Sequence, residues 1–308
     1  MNIIFLGSAD FGIPALTRLL ESHRVLAVVS TPPKPQGRGL AVRDSPVVAF
    51  ARQNSIAAIH TPLDLKSPDF AATLSSYNAD LFVVVAFRIL PRSLFALPPL
   101  GTVNIHASLL PRYRGPAPIQ RAIEAGETET GVTIFRIDEG IDTGAILMQK
   151  RVAIGPKETT PELYSRLSKL GAEALMAAIE ELIAKTHEPY PQDHSGSSGA
   201  PKLHKEEARI DWRLPPEKIF NKIRAFKPFP GTFAGYNGRR LGIVWAEPIT
   251  GTDKGPIGTV ARTGHEYFDV WCSGGFLRIL EVKPEGRTAM PVHDFLLGHE
   301  LREGTVLL

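Results

Sequence analysis

The chain has 308 residues, 43% hydrophobic and 22% charged, a length that fits about two domains and a composition that excludes a disordered or fibrous protein. Its lone cysteine, Cys272, excludes an internal disulfide and a Cys-based zinc site; with no His-x-x-x-His spacing, no metal is expected. The formal net charge is +3: residues 202–308 hold 16 Lys+Arg against 13 Asp+Glu and residues 1–201 hold 19 of each, so any basic surface for a polyanion lies in the last third.

The opening Met1–Gly7 lacks the basic region and cleavage site of a signal peptide and reads as a buried strand over residues 3–6. Residues 7–12 form a turn, and Pro14 suits the first turn of a helix that puts Leu16, Leu19 and Leu20 on one face. A strand at 25–29 and helices at 46–53 and 70–77 follow. Residues 80–86 form the continuous apolar run of a parallel strand covered on both faces. Then come a strand at 101–105, a helix at 119–125 closed by Gly126, a strand at 132–137 and a helix over 160–184 entered through Thr160 and Pro161. This alternation predicts an α/β fold with a doubly wound, mostly parallel sheet. Composition changes near Glu188 to a turn-rich connector over 190–200, after which short strands at 241–245, 258–261, 267–271 and 276–282 predict a second, smaller all-β barrel. The expected division is 1–187, a linker over 188–206, and 207–308. No apolar run approaches the roughly 20 residues of a membrane span, so no membrane partner and a cytoplasmic location are expected.

Gly7-Ser8-Ala9-Asp10-Phe11-Gly12 follows the first strand but fits neither the dinucleotide fingerprint nor the phosphate loop, so a tight turn suffices. The chemistry lies later, in Asn104-Ile105-His106-Ala107-Ser108-Leu109-Leu110-Pro111 and in Asp138-Glu139-Gly140-Ile141-Asp142-Thr143-Gly144. Residues two apart on a strand share a face, so Asn104 and His106 point together. An amide donor beside an imidazole suits an oxygen gaining negative charge while a proton moves. Asp142, in a Gly-rich turn, is the better of the two aspartates to act on the imidazole; Asp138 equally suits a structural turn. Ser108 lacks a nucleophile elbow and reads as a local turn or cap. Acyl or formyl transfer, or hydrolysis, without a metal follows.

The run from Asn104 to Gln120, including Arg112-Tyr113-Arg114-Gly115-Pro116-Ala117-Pro118-Ile119-Gln120, resembles the signature of the methionyl-tRNA formyltransferases, within the wider folate-dependent formyltransferase family. Glu129 to Ile134, Gln36-Gly37-Arg38-Gly39, Ser45-Pro46-Val47, Lys202-Leu203, Lys205 to Trp212 and Ile223 to Phe226 extend the likeness over nearly the whole chain. The resemblance implies transfer of formyl from 10-formyltetrahydrofolate to the amino group of initiator methionyl-tRNA. By analogy Asn104, His106 and Asp142 are catalytic, with Asp142 acting on His106 by its opposite charge or relaying a proton through water. Ser108, Leu109, Leu110 and Pro111 match the folate-contacting segment, and Phe87, Arg88, Ile89, Leu90 and Asp138 wall the pterin pocket. Arg38 matches a loop position that meets the tRNA, and Lys222, Arg224, Lys227, Arg239 and Arg240 are candidates on a C-terminal barrel like an oligonucleotide-binding fold. A monomer is expected. Two departures stand out: Ala86-Phe87-Arg88-Ile89-Leu90-Pro91 is one residue shorter than the family's loop and has Arg for Gly, and Gly7-Ser8-Ala9 replaces Gly-Thr-Pro. The alternatives are transfer to a small amine, such as an amino-sugar nucleotide or glycinamide ribonucleotide, and a catalytically idle RNA-binding protein.

Overall fold

The computed structural model describes residues 1–36, 41–186, 188–251 and 255–308. Their contacts divide them into two compact units: Met1–Pro118, Glu129–Ala153 and Tyr164–Ala200 form the first, and Ile119–Thr128, Ile154–Leu163 and Pro201–Leu308 the second. Residues 188–200, expected in a linker, therefore group with the first unit, and 119–128 and 154–163 group with the second.

In chain order the elements are β1 (Asn2–Gly7), α1 (Ile13–Ser22), β2 (Arg24–Val29), β3 (Lys34–Gln36), β4 (Ala41–Arg43), α2 (Pro46–Gln53), β5 (Ile59–His60), α3 (Pro68–Ser76), β6 (Leu81–Val85), α4 (Arg92–Phe95), β7 (Thr102–His106), α5 (Pro118–Ala125), β8 (Glu129–Arg136), β9 (Ile146–Ala153) and α6 (Thr160–Ala184). A seven-stranded sheet runs β5-β2-β1-β6-β7-β8-β9. Its first five strands are parallel, as expected, while β8 and β9 run antiparallel to their neighbours. The alternating pattern missed β9 because its outer half is polar, Gln149-Lys150-Arg151, and only partly buried. The parallel strands are apolar on both faces because helices cover both: Ile3 to Leu6 and Leu81 to Val85 are all buried. Ser45 caps α2 by accepting the Val48 N–H at 3.1 Å.

Helix α6 packs against β7 and holds the turn after β1. A Cβ on Gly171 would lie 2.8 Å from the Ile105 side chain, so only glycine lets this helix lie so close to the strand. The turn after β1 is held by the same helix: the Tyr164 hydroxyl accepts the Phe11 N–H at 2.9 Å, and the Ser168 hydroxyl donates to the Phe11 carbonyl at 2.7 Å. Tyr164 also donates to Asp10, and burial pushes its phenol well above the usual range.

The second unit adds α7 (Pro216–Ala225), β10 (Thr232–Tyr236), β11 (Arg239–Thr250), β12 (Val260–Thr263), β13 (Phe268–Cys272), β14 (Gly275–Pro284), β15 (Met290–Pro291) and α8 (Val292–Gly298). Its sheet runs β10-β11-β14-β13-β12, with β15 on β14, all antiparallel. Residues 304–308 bond to Val260 on one side and to Gly235 on the other, which closes the sheet into a barrel. The barrel is not all-β: Ile219, Phe220 and Ile223 of α7 and Val292 and Phe295 of α8 enter its core. Asp269 is fully buried inside a β-strand and takes a bidentate pair from Arg278, at 2.9 and 3.0 Å, and a further bond from Arg262. Asp269 is the buried charge of the group, and both arginines reach solvent, so removing it costs the hydrogen bonds and not a stranded buried charge. Asp269→Ala is expected to cost about 1–3 kcal/mol. All three tryptophans, 212, 245 and 271, lie in the second unit, so urea unfolding followed by tryptophan fluorescence reads the loss there.

Candidate active site

The site is built on the face of β7 that carries Asn104 and His106. Across the sheet His106 lies opposite Thr133 of β8, which lies opposite Gln149 of β9, and Asn104 lies opposite Phe135; directly paired residues share a face. The His106 ring accordingly meets Phe135 edge-on at 6.5 Å. The β8–β9 connection, residues 137–145, folds over this face and brings Asp142 Oδ2 to 3.5 Å from His106 Nδ1, with side chains only 15% and 7% exposed.

Each group of this pair has a second anchor. His106 Nε2 is 2.9 Å from the Tyr113 carbonyl, which only accepts, so Nε2 carries the proton it donates. Asp142 Oδ2 accepts the Gly115 N–H at 2.8 Å. Tyr113 and Gly115 are two residues apart, so one short segment holds both the imidazole and the carboxylate. The Asn104 amide is half-buried and has no side-chain partner among the described residues, leaving two N–H donors on the shared face.

Asp142 sits at φ 54°, in the left-handed region that an L side chain rarely adopts. The turn that keeps it there uses Asp138, whose Oδ1 accepts the Gly140 N–H at 3.0 Å and the Thr143 hydroxyl at 2.6 Å. A Cβ on Gly144 would lie 1.7 Å from the Arg136 carbonyl oxygen, so the connection passes there only with glycine. Asp138 therefore shapes the turn; no contact to a ligand is needed to account for it.

The expected folate-contacting segment divides in two. Ser108 and Leu110 are buried, and their polar groups are spent locally, so direct contact gives way to support from behind. The Ser108 hydroxyl donates to the Arg112 carbonyl at 2.7 Å. The Thr133 hydroxyl donates to the Ser108 carbonyl at 2.7 Å and accepts the Leu110 N–H at 3.1 Å and Gln149 Nε2 at 3.0 Å. Gln149 also donates to the Leu110 carbonyl at 2.8 Å. Leu109 and Pro111 keep part of their surface.

Arg88 differs too from the role expected of it. Its guanidinium donates to the carbonyls of Pro62 and Leu63 at 2.7 and 3.1 Å, so its Nη groups tie two loops together. Leu90 is buried with Phe87 and Ile137 in one apolar cluster, which places the 87–90 loop beside the 137–142 turn. Arg92 and Glu139 pair across the same junction at 2.7 Å. Ile89 and Ile141, on those two loops, stand 80% and 59% exposed. Exposed aliphatic side chains on adjoining loops are suited to a flat, apolar ring system.

Arg38 lies outside the described residues. Within the second unit, Arg224 is corrected: it is buried and donates to the carbonyls of Gly155 and Glu158 and to Asn221, and burial lowers its pKa. Its charge supports the fold and offers nothing to a polyanion. Arg239 is exposed and Lys227 half-exposed, with Lys227 above the Trp245 ring at 5.6 Å. Arg240 stacks on Phe233 at 3.8 Å with its backbone N–H on Glu285, and Lys222 donates to the Arg209 carbonyl at 3.3 Å. Thr133, Gln149 and the backbone of Tyr113 and Gly115 escaped the sequence reading, since pairing partners across a sheet leave no local signal.

A shallow, open depression of about 580 Å³ lies elsewhere, among Met1, Asn2, Glu21, His23, Arg24 and Asp80 at the N-terminal ends of β1 and β2. Among the described residues no three His, Cys, Asp or Glu converge to hold a metal, and no helix is long and apolar enough to cross a membrane.

Residues 1–179 match the formyl transferase family and residues 202–300 the formyl transferase C-terminal domain. The chain is 42% identical to the methionyl-tRNA formyltransferase of Jannaschia sp. (strain CCS1), covering 100% of both. Among solved structures, an N-formyltransferase from Helicobacter canadensis in complex with folinic acid and dTDP-3-aminofucose shares the fold at TM-score 0.67 and 23% identity, covering 90% of this chain and 97% of that one. The methionyl-tRNA formyltransferase from Clostridium thermocellum does so at TM-score 0.55 and 23% identity, covering 80% and 93%. The chain belongs to the formyl transferase family, in the branch of the methionyl-tRNA formyltransferases.

Thr133→Val keeps the volume of the side chain and removes the hydroxyl that joins β8 to the 108–110 loop. About 1–3 kcal/mol of local stability is expected to go with it. Hydrogen exchange at the Leu110 amide checks this, and an unchanged rate would show that Thr133 does not hold the loop.

Proposed function

We propose that the protein transfers the formyl group of 10-formyltetrahydrofolate to the amino group of initiator methionyl-tRNA, giving N-formylmethionyl-tRNA. The observation that carries this reading is the juxtaposition of Asn104, His106 and Asp142 in a chain that matches a methionyl-tRNA formyltransferase from end to end. The methionine nitrogen attacks the formyl carbon and loses a proton; the bond from that carbon to the folate nitrogen breaks, and that nitrogen takes a proton. Asn104, with donors free, is placed to stabilise the oxygen that gains negative charge during attack, while His106, its Nε2 proton given to the Tyr113 carbonyl, acts through Nδ1 beside Asp142. Asp142 is the acidic partner that receives or relays the proton through His106 or water. The carboxylate is fixed by the Gly115 N–H, so little reorganisation is required.

The residues fit a folate. Phe87 and Leu90 pack behind the exposed Ile89, Ile141 lies on the neighbouring turn, and Leu109 and Pro111 adjoin the catalytic face. A relative by fold holds folinic acid, a folate. For the tRNA, Lys227, Arg239 and Arg240, with Lys222, are the phosphate contacts, beside Trp245 and Phe233. We place the reaction in the cytoplasm, where charged tRNA is used. The buried Cys272, its thiol pushed up to about 12 by burial, is inert in such a setting.

The deciding assay is formyl transfer from 10-formyltetrahydrofolate with charged initiator methionyl-tRNA, free methionine and a dTDP-amino sugar as competing acceptors. Formylation of the tRNA alone is expected; a formylated sugar nucleotide would reassign the acceptor. In that assay Asn104→Ala, His106→Ala and Asp142→Asn are each expected to lower kcat about 100- to 1,000-fold. Activity within a few-fold of wild type in any one would remove its catalytic role. Lys227→Ala, Arg239→Ala and Arg240→Ala are each expected to weaken tRNA binding and reduce the log–log salt slope by about 1. A salt slope unchanged in all three would place the tRNA elsewhere.

A further inference from the structure

The segment after α6 reads as a connector in sequence, yet it is stitched to the catalytic face along its length. Tyr190 exchanges main-chain hydrogen bonds with Ile146 at the start of β9, at 2.8 and 3.0 Å. Farther on, the Ser198 carbonyl accepts the Arg114 N–H at 2.8 Å, the Ser198 hydroxyl accepts the Tyr113 N–H at 2.9 Å, and the Ala200 N–H donates to the Arg114 carbonyl at 2.6 Å. Between these two seams lies Gln192, 5% exposed. Its Nε2 donates to the carbonyls of Asp142, at 2.9 Å, and Gly144, at 2.8 Å. Its Oε1 accepts Arg114 Nη2 at 2.5 Å. An arginine can only donate, so Arg114 selects the amide orientation that leaves both Nε2 protons facing the Asp142 turn.

We propose that Gln192 is a positioning residue for Asp142, clamping the turn in the geometry that presents its carboxylate to His106. The proposal rests on Asp142 taking part in formyl transfer. The turn requires such a clamp because Asp142 is held at φ 54°. Without an intervening donor, the carbonyls of Asp142 and Gly144 would rotate toward water, and the backbone would relax to negative φ. That rotation withdraws the carboxylate from the Gly115 N–H and from Nδ1 of His106. Arg114 completes the arrangement, since it lies between Tyr113 and Gly115, whose backbone groups hold His106 and Asp142. The amide thus joins the two segments that define the site.

The test measures kcat and KM for both substrates, with thermal unfolding, on the full chain carrying Gln192→Leu, Arg114→Met, Asp142→Asn, and Gln192→Leu with Asp142→Asn. Gln192→Leu is expected to lower kcat about 10- to 100-fold with both KM values within about 3-fold. Arg114→Met, which frees the amide to turn, is expected to reproduce part of that loss and serves alone if Gln192→Leu does not fold. In the Asp142→Asn background, Gln192→Leu is expected to change the residual rate by less than about 3-fold, because the group it positions is already gone. A kcat for Gln192→Leu, or failing its folding for Arg114→Met, within about 3-fold of wild type overturns the proposal. So does an equal loss in both backgrounds, the result a merely structural role would give. Near wild-type activity of Asp142→Asn alone would instead sink the catalytic reading beneath it, and that result is seen in a different variant.

Discussion

His106 and Asp142 are held by backbone groups two residues apart, the Tyr113 carbonyl on one side and the Gly115 N–H on the other. Everything else near the site serves to bring that short segment over β7 and keep it there. A carboxylate and an imidazole side by side are useful only if neither turns to satisfy itself with water. Here each has one fixed partner besides the other, and both are largely buried. The cost is borne by the 137–145 connection, which carries an aspartate in the left-handed region and a glycine where no Cβ fits.

The antiparallel end of the sheet makes this possible. A parallel β8 would have reached its partner through a long crossover on one face. As β7, β8 and β9 are arranged, His106, Thr133 and Gln149 form a row across three strands, and the hydroxyl and amide in that row hold the 108–110 loop. The polar residues of β8 and β9 that weaken their strand signal are the ones that support the site. Farther along the sheet, Gly171 lets α6 lie against β7 from its place in the helix, so the strand is fixed from behind as well.

The second unit solves a separate problem, that of a small barrel with an open seam and charges in its wall. Residues 304–308 close the seam, and two arginines compensate the buried Asp269. Its basic residues thereby fall into two kinds. Arg224, Arg262 and Arg278 are consumed by the fold, whereas Lys227 and Arg239 keep their charge at the surface. A sequence shows both kinds as the same letter.

The sequence by itself determined the parallel core, because strands apolar on both faces have to be covered on both faces. It also determined the shared face of Asn104 and His106, because strand periodicity is local. The Gly-rich turn pointed to Asp142, and the motif order to the family. Tertiary structure alone decided that β8 turns back on β7, that Arg224 is buried, that Arg88 spends its charge on Pro62 and Leu63, and that a stretch resembling a connector carries Gln192 into the Asp142 turn. These are pairings between residues 25 to 69 positions apart, set by which backbone groups remain unsatisfied once the chain has packed. Local pattern carries no record of them, since the donor and the acceptor acquire their need for each other only on burial.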